Sequence, residues 1–284
     1  MAKAAGVVLA GGRSSRMGTP KAALEWHGST LLRRVTGVVA RGVDGPVVVV
    51  AARDQVLPEV DPHVEVVRDA LDGRGPLQGL AAGLAALADR ADVAFVCSTD
   101  LPFLHVAFVR AVVRPLLDDA AGTDVVLPVV HGYRQPLVAA YRTTLLVAVE
   151  RLLAADRLRP AHLLDECRVL QLDQSALLAD RALAAADPGL DSVVNVNDPD
   201  GYAAARARPA PDVTVECFGV LAGAAGRGTR RVAAATLGEA ARARGLALGP
   251  HVVAAVNGDQ IARDPDLPLV SGDAVAFLSA DAGG

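Results

Sequence analysis

Short apolar runs bounded by turn residues recur through the first hundred residues, and between them lie segments whose apolar positions repeat with helical spacing. Ala4 to Leu9 reads as a strand. A Gly-rich loop follows over Ala10 to Lys21, then an amphipathic helix from about Ser29 to Ala40, with Leu31, Leu32, Val35, Val38 and Val39 on one side. Residues 46–52 (PVVVVAA), 64–67 (VEVV) and 93–97 (VAFVC) predict three further strands, and residues 77–89 predict a helix between the last two. Because parallel strands need long crossover connections, this alternation predicts βαβ units and an α/β fold with a mostly parallel, Rossmann-like sheet. After Asp100 the rhythm loosens. Residues 124–130 and 137–141 predict two strands flanking HGYRQP as a hairpin turn. Helical segments near 143–155 and 160–166 follow, then strands at 168–173 and 192–196 and a closing helix at 199–207.

Residues 206–212, RARPAPD, carry two prolines and no apolar periodicity, the signature of a linker. Beyond it lie a strand at 213–221, a helix at 237–245 ended by Gly245, a strand at 251–259 reaching an Asn-Gly turn, and a last strand at 273–280. The chain therefore reads as two domains, 1–208 and 209–284. The second is a β, α, β, β module of α+β type near the size where a single core becomes marginal, and no internal repeat relates it to the first.

A length of 284 residues suits this division, and the balance of 52% hydrophobic to 21% charged residues excludes disorder. Aromatic residues make up only 3%, so the core must be built from small aliphatic side chains. The net charge of −4 is spread along the chain, which excludes a nucleic-acid-binding face. No apolar run approaches the ~18 residues that span a bilayer, and the opening does not read as a signal peptide. A cytoplasmic protein with no membrane partner is expected. Cys97, Cys167 and Cys217 stand far apart with no CxxC pair and read as small core residues; Trp26 and His27 read as packing and turn residues. The basic residues are almost all Arg. Lys3 and Lys21 are the sole lysines, so a lysine inside the Gly-rich loop stands out.

That loop, LAGGRSSRMGTPK at 9–21, combines Gly11, Gly12 and Gly18, which let main-chain N–H groups approach a ligand, with the charges of Arg13, Arg16 and Lys21. The combination suits polyphosphate, yet it contains neither a Gly-Lys-Ser/Thr nor the glycine spacing of a dinucleotide site. The segment resembles the nucleotidyltransferase motif LAGGxSxRMGxxK in the form found in molybdenum cofactor guanylyltransferases, the MobA-like family. The resemblance extends over about residues 4–207 through VRDALDGRGPLQGLAAGL (67–84), STDLPFL (98–104) and VNVNDPDGY (194–202). It implies that Leu9, Ala10, Gly11 and Gly12 lie against the nucleotide, that Arg16 and Lys21 meet its phosphates, that Asp69 holds the base or sugar, and that Asp100 binds Mg²⁺. On the residues alone, Asp100 ends an apolar strand at the sheet edge where ligands of open α/β folds collect, as a metal ligand or a helix cap. Asn195 and Asn197 alternate with Val and so share one face, with Asn197 a metal or phosphate contact or a turn cap. Family members often have Asn after the second main strand; here the residue is Ala51. His63, His105 and His131 match no motif.

The last segment, with VTVECFG, LGEAARA, AAVNGD, LVSGDAVAFL and a closing Gly-Gly, resembles the ubiquitin-like (β-grasp) sulfur carriers of molybdopterin synthase, the MoaD-like family, over about residues 212–284. The resemblance implies a thiocarboxylate at Gly284, with an adenylating MoeB-like enzyme and the molybdopterin synthase large subunit as partners. Where that family often has Pro-Pro before the final glycines, this chain has Ser279 to Ala282. Together the two resemblances imply transfer of GMP from GTP to molybdopterin, fused to a sulfur carrier. The alternatives are a cytidylyl- or sugar-phosphate nucleotidyltransferase, or an inactive transferase acting as a carrier and interaction module.

Overall fold

The computed structural model describes residues 2–11, 20–69, 73–118, 122–258 and 260–280. It divides into two compact units, residues 1–24 with 31–201 and residues 25–30 with 202–284. In the first, β1 (Ala4–Leu9) is buried along its whole length. The hairpin formed by β2 (Glu25–Trp26) and β3 (Ser29–Thr30) interrupts this unit in sequence and clusters with the other. Next come β4 (Val47–Ala51), β5 (Val64–Arg68), β6 (Val93–Ser98), β7 (Val125–Val130), β8 (Tyr133–Arg134), β9 (Val138–Arg142) and β10 (Val169–Leu172). They form a mixed sheet in the order β10-β7-β9-β6-β1-β4-β5, with β8 added to β7. Strands β6, β1, β4 and β5 are mutually parallel, and β9 runs antiparallel between β6 and β7. The carboxyl ends of the four parallel strands therefore share one edge, where open α/β sheets bind ligands.

Helices cover both faces. The apolar stripes of α1 (Leu31–Gly42) and α3 (Val106–Asp118) are buried on one side. On the other, α2 (Pro76–Leu87) and α4 (Leu146–Ala154) share a core with Ala5, Val7, Leu9, Val48 and Val50. Close approach depends on glycine on both sides. A Cβ at Gly83 of α2 would fall 2.4 Å from Val7 Cγ1, and one at Gly6 of β1 would fall 2.3 Å from Val39 Cγ1 of α1. With small aliphatic residues filling the layers, the helices seat directly on the strands.

The predicted elements before Asp100 agree with those observed, except that α1 begins at Leu31 because Ser29 and Thr30 belong to the hairpin. Residues 192–196 are not a strand. Asp191–Val193 form a short 3₁₀ turn, and their backbone groups bond elsewhere. The buried Asp187 carboxylate accepts from Asp191 N at 2.7 Å and Ser192 N at 2.9 Å, and Val196 N donates to Asp100 O at 2.9 Å. With the amides held by a side chain and a loop carbonyl, no ladder forms, and the alternation that put Asn195 and Asn197 on one strand face does not apply.

The second unit holds β11 (Asp212–Cys217), β12 (Arg230–Ala233), β13 (Val252–Val256), β14 (Gln260–Ala262) and β15 (Ala274–Ser279) in the order β12-β11-β15-β13-β14. The central pair, β11 and β15, is parallel and the other pairs are antiparallel. β12, β14 and a helix at Val220–Ala225 are additions to the predicted β, α, β, β pattern. The helix Leu237–Ala243 is capped by Thr236, whose side chain accepts from Glu239 N at 3.2 Å, and Gly245 follows it at φ +70°. Arg244, 4% exposed, donates to the carbonyls of Val215, Ala225, Gly226 and Gly228, fastening the segment between β11 and β12. In the hairpin, Trp26 is buried with the Arg206 guanidinium 5.9 Å from its ring, and His27 and Gly28 both take positive φ at the turn. Among the described residues, no helix is long and apolar enough to cross a membrane.

Two consequences can be measured. Gly83→Ala drives a methyl into the stiff Val7 side chain and is expected to lower unfolding stability by about 1–3 kcal/mol in urea titrations. Gly79→Ala, one turn earlier and 3.2 Å from the mobile end of Leu9, should cost clearly less. Burial, with the charges of Asp124 and Glu166, pushes the Cys167 thiol up to about 11. Its alkylation in the folded protein should therefore be slow at neutral pH and rise roughly tenfold per pH unit toward that value.

Candidate active site at the carboxyl edge of the sheet

Three segments meet just beyond the end of β6. Lys21 opens a 3₁₀ turn, Lys21–Ala23, after Pro20. Its ammonium donates to Asp100 Oδ2 at 2.8 Å and to Asn197 Oδ1 at 2.7 Å. Asp100 lies two residues past β6, and its other oxygen, Oδ1, accepts a hydrogen bond from Ser98 Oγ. The bond from Val196 N to Asp100 O brings the next residue, Asn197, to the cluster. Lys21 and Asp100 are 20% and 13% exposed, so the pair is shielded from full solvent screening while still open to a ligand. The alternative reading of Asp100 as a helix cap does not fit, since α3 starts at Val106.

On the far side of β1, Ala10 N and Gly11 N both donate to Val50 O, at 2.8 and 3.2 Å, and Leu9 and Ala10 are buried. Contacts from these residues to a ligand must therefore run through remaining backbone atoms. Gln55 Nε2 donates to Ala10 O at 2.9 Å while its Oε1 accepts from Ala52 N at 3.1 Å. Asp69 stands just past β5, its amide bonded to Ala51 O at 2.8 Å. Ala51 itself is fully buried. Asp69 is thus displaced from the Lys21 cluster by three strand spacings, roughly 14 Å. The structure brings together Lys21, Asp100 and Asn197, and it places Leu9, Ala10, Gly11 and Asp69 along the same edge. Asn195 is exposed two residues from Asn197. Gly12, Arg16 and Gly284 lie outside the described residues. Ser98 and Gln55 are partners that sequence reasoning missed. Ser98 sits inside the quoted STDLPFL, two residues from Asp100, while Gln55 belongs to no motif.

Burial raises the Cys97 thiol far above its ordinary range, with a smaller push from the Asp100 charge, so this neighbour of the cluster stays protonated and inert. Among the described residues no group of three or more His, Cys, Asp or Glu side chains is placed to hold a metal. A cation here would instead depend on Asp100, the Asn197 amide oxygen and oxygens brought by a ligand.

The sequence profile of the MobA-like NTP transferase domain matches residues 6–171. The chain belongs to the MobA-like NTP transferase family. It is a nucleotidyltransferase of the molybdenum cofactor guanylyltransferase type. A probable molybdenum cofactor guanylyltransferase of Mycobacterium ulcerans is 41% identical over 179 residues, covering 61% of this chain and 86% of that one. Its counterpart in Mycobacterium avium is 38% identical, covering 62% and 88%. The crystal structure of molybdopterin-guanine dinucleotide biosynthesis protein A from Archaeoglobus fulgidus superposes with a TM-score of 0.57 at 23% identity, covering 71% of this chain and 96% of that one, and shows the shared fold.

The ion pair between Lys21 and Asp100 can be weighed directly. Lys21→Met leaves the Asp100 carboxylate facing the Asn197 oxygen and is expected to cost about 1–3 kcal/mol of stability. Combining it with Asp100→Asn should recover part of that loss, and a double-mutant cycle by urea unfolding should return a favourable coupling of about 1 kcal/mol.

Proposed function

We propose that the first domain, residues 1–208, transfers GMP from GTP to the terminal phosphate of molybdopterin and releases pyrophosphate. The observation that carries this reading is the convergence of Lys21, Asp100 and Asn197 at the carboxyl edge of the parallel strands. Names of the relatives at about 40% identity support the choice of substrates. Asp69, roughly three strand spacings away, is at a suitable distance to hold the base or sugar while Lys21 meets the phosphates. Leu9, Ala10, Gly11 and Gly12 would line the nucleotide with backbone, and Arg16 would join Lys21 on the phosphates. A Cβ at Gly11 would meet, among the described residues, only Ala52 N at 3.5 Å and the Ala51 carbonyl carbon at 3.9 Å. That face of Gly11 therefore packs in ordinary van der Waals contact on the backbone at the end of β4.

The residues fit a hard divalent cation such as Mg²⁺. Asp100 and Asn197 both bond the Lys21 ammonium, so a carboxylate and an amide oxygen stand near each other and would hold such an ion, with phosphates and water supplying the remaining ligands. When bound, Mg²⁺ neutralises charge on the phosphates. The acceptor phosphate is already anionic at neutral pH, so the chain needs no strong general base. Its work is alignment of two anions and cancellation of their repulsion: Lys21 follows the negative charge onto the leaving pyrophosphate, and Ser98 fixes the rotamer of Asp100.

For residues 209–284 we propose a ubiquitin-like carrier domain serving dithiolene formation in the same cofactor, working with an adenylating enzyme and the synthase large subunit. The sheet order β12-β11-β15-β13-β14, with the first and last strands parallel at the centre and one helix after the second strand, supports this fold.

Lys21→Ala is expected to lower kcat/KM for nucleotidyl transfer by roughly 2–4 kcal/mol of transition-state stabilisation. Lys21→Arg should rescue little, because a planar fork does not replace a compact ammonium. Asp100→Asn should abolish turnover at ordinary Mg²⁺ concentration while circular dichroism stays native. Unchanged steady-state constants in all three variants would overturn the assignment, and a comparison of GTP with CTP, ATP and UTP decides the base. Incubating the full chain with an adenylating enzyme, ATP and a sulfur donor should exchange one oxygen for sulfur by intact mass; no exchange would overturn the carrier reading.

A further inference from the structure

Between Ala10 and Gly11 lies a peptide group bonded at both ends to the neighbouring loop. Its N–H, from Gly11, donates to Val50 O at 3.2 Å, and its C=O, from Ala10, accepts from Gln55 Nε2 at 2.9 Å. Gln55 is held in turn. Its Oε1 accepts from Ala52 N at 3.1 Å, and its main-chain N–H donates to Ala52 O at 3.2 Å, closing the turn that carries the side chain back across the ends of β1 and β4. From β5, Arg68 Nη1 donates to the carbonyls of Ala52 and Gln55. The residue after this peptide is glycine, for which a rotation of the peptide plane meets little steric resistance. Nothing covalent therefore stops the group from flipping; the two hydrogen bonds do.

We propose that Gln55 is a positioning residue for nucleotide binding: it keeps the Ala10 carbonyl turned into the neighbouring loop, so that the nucleotide meets the face of the Ala10–Gly11 peptide and not an opposing carbonyl oxygen. The inference rests on the nucleotidyltransferase reading above. Gln55 acts through the peptide and not on the reacting phosphates, so its loss leaves part of the population flipped before nucleotide binds. A nucleotide must then select the correct orientation, which weakens apparent affinity by the fraction that is competent. Once it is bound, the chemical step proceeds as in the native chain.

Calorimetric titration of the full chain with GTP in the presence of Mg²⁺, alongside steady-state kinetics, tests this. Gln55→Met should raise Kd and KM for the nucleotide roughly five- to twenty-fold, the effect of one lost hydrogen bond, with kcat within about twofold. Gln55→Glu gives a sharper readout. At pH 7.5 its carboxylate still accepts from Ala52 N but opposes the Ala10 carbonyl, so affinity should be as poor as with Met. Protonation restores an O–H donor, so affinity relative to Gln55→Met at each pH should recover as pH falls toward about 4 to 5. That recovery within one variant would not arise from a general loss of folding. Native affinity in both variants, kcat falling in step with rising KM, or a Glu variant that tracks the Met variant at every pH would overturn the proposal. Lys21→Ala, run in parallel, separates the two readings: if it turns over normally the transferase site is wrong, and if it fails while the Gln55 variants bind normally only the role of Gln55 is lost.

Discussion

One ammonium group holds the carboxyl edge of the sheet together. Lys21 reaches Asp100, 79 residues later, and Asn197, 176 residues later, so the site exists only when the sheet has set three remote segments side by side. The carboxylate is placed by β6, whose interior residues are fully buried, and the amide oxygen by the bond from Val196 N to Asp100 O. Without nucleotide, the positive charge of Lys21 answers the negative charge of Asp100 and neither is left uncompensated in a shielded position. On the function proposed above, a bound nucleotide would offer the same groups better partners: phosphate oxygens for the ammonium, and a divalent cation for the carboxylate and amide. On that proposal the pair stabilises the resting fold and would give way to the working arrangement through an exchange of partners.

Such an exchange requires a rigid floor, and the composition supplies it. A core of Val, Leu, Ala and Gly, with few aromatic rings, lets α1 and α2 approach the sheet closely at Gly6 and Gly83. Branched side chains with few rotamers leave little slack in such layers. The strand ends are therefore fixed points, and side chains carried one or two residues beyond them inherit that precision.

Much of this was legible in the chain. Buried parallel strands are continuous apolar runs, so β1, β4 and β6 announced themselves, and the rare lysine of the Gly-rich loop marked the edge where Lys21, Asp100 and Asn197 meet. What escaped had identifiable causes. The strand expected at 192–196 had the right alternation, but the buried Asp187 takes its backbone amides, a tertiary bond that no periodicity reveals. α3 carries Val109, Val112, Val113 and Leu116 at helical spacing, yet Pro115 in its last turns reads as a breaker. β8, β12 and β14 are two to four residues long and owe their pairing to neighbours. Lys21 and Asp100 were visible as chemistry, whereas Ser98 and Gln55 are ordinary polar residues whose roles depend on a fold already formed.

The choice of lysine at the centre of the cluster follows from geometry. Basic positions elsewhere in this chain are arginine, apart from Lys3. At the edge of β6, however, two oxygens from different segments point at a single atom, 2.7 and 2.8 Å away. An ammonium is a point charge with tetrahedral donors and can serve both from one centre. A guanidinium spreads its charge over a plane of three nitrogens and would have to displace either Asn197 or Asp100 to enter. The same compactness suits the reaction proposed here, because a point charge can leave two protein oxygens for a phosphate by rotation of a flexible four-carbon stem, while a planar fork held by two carbonyl-type partners would resist the move.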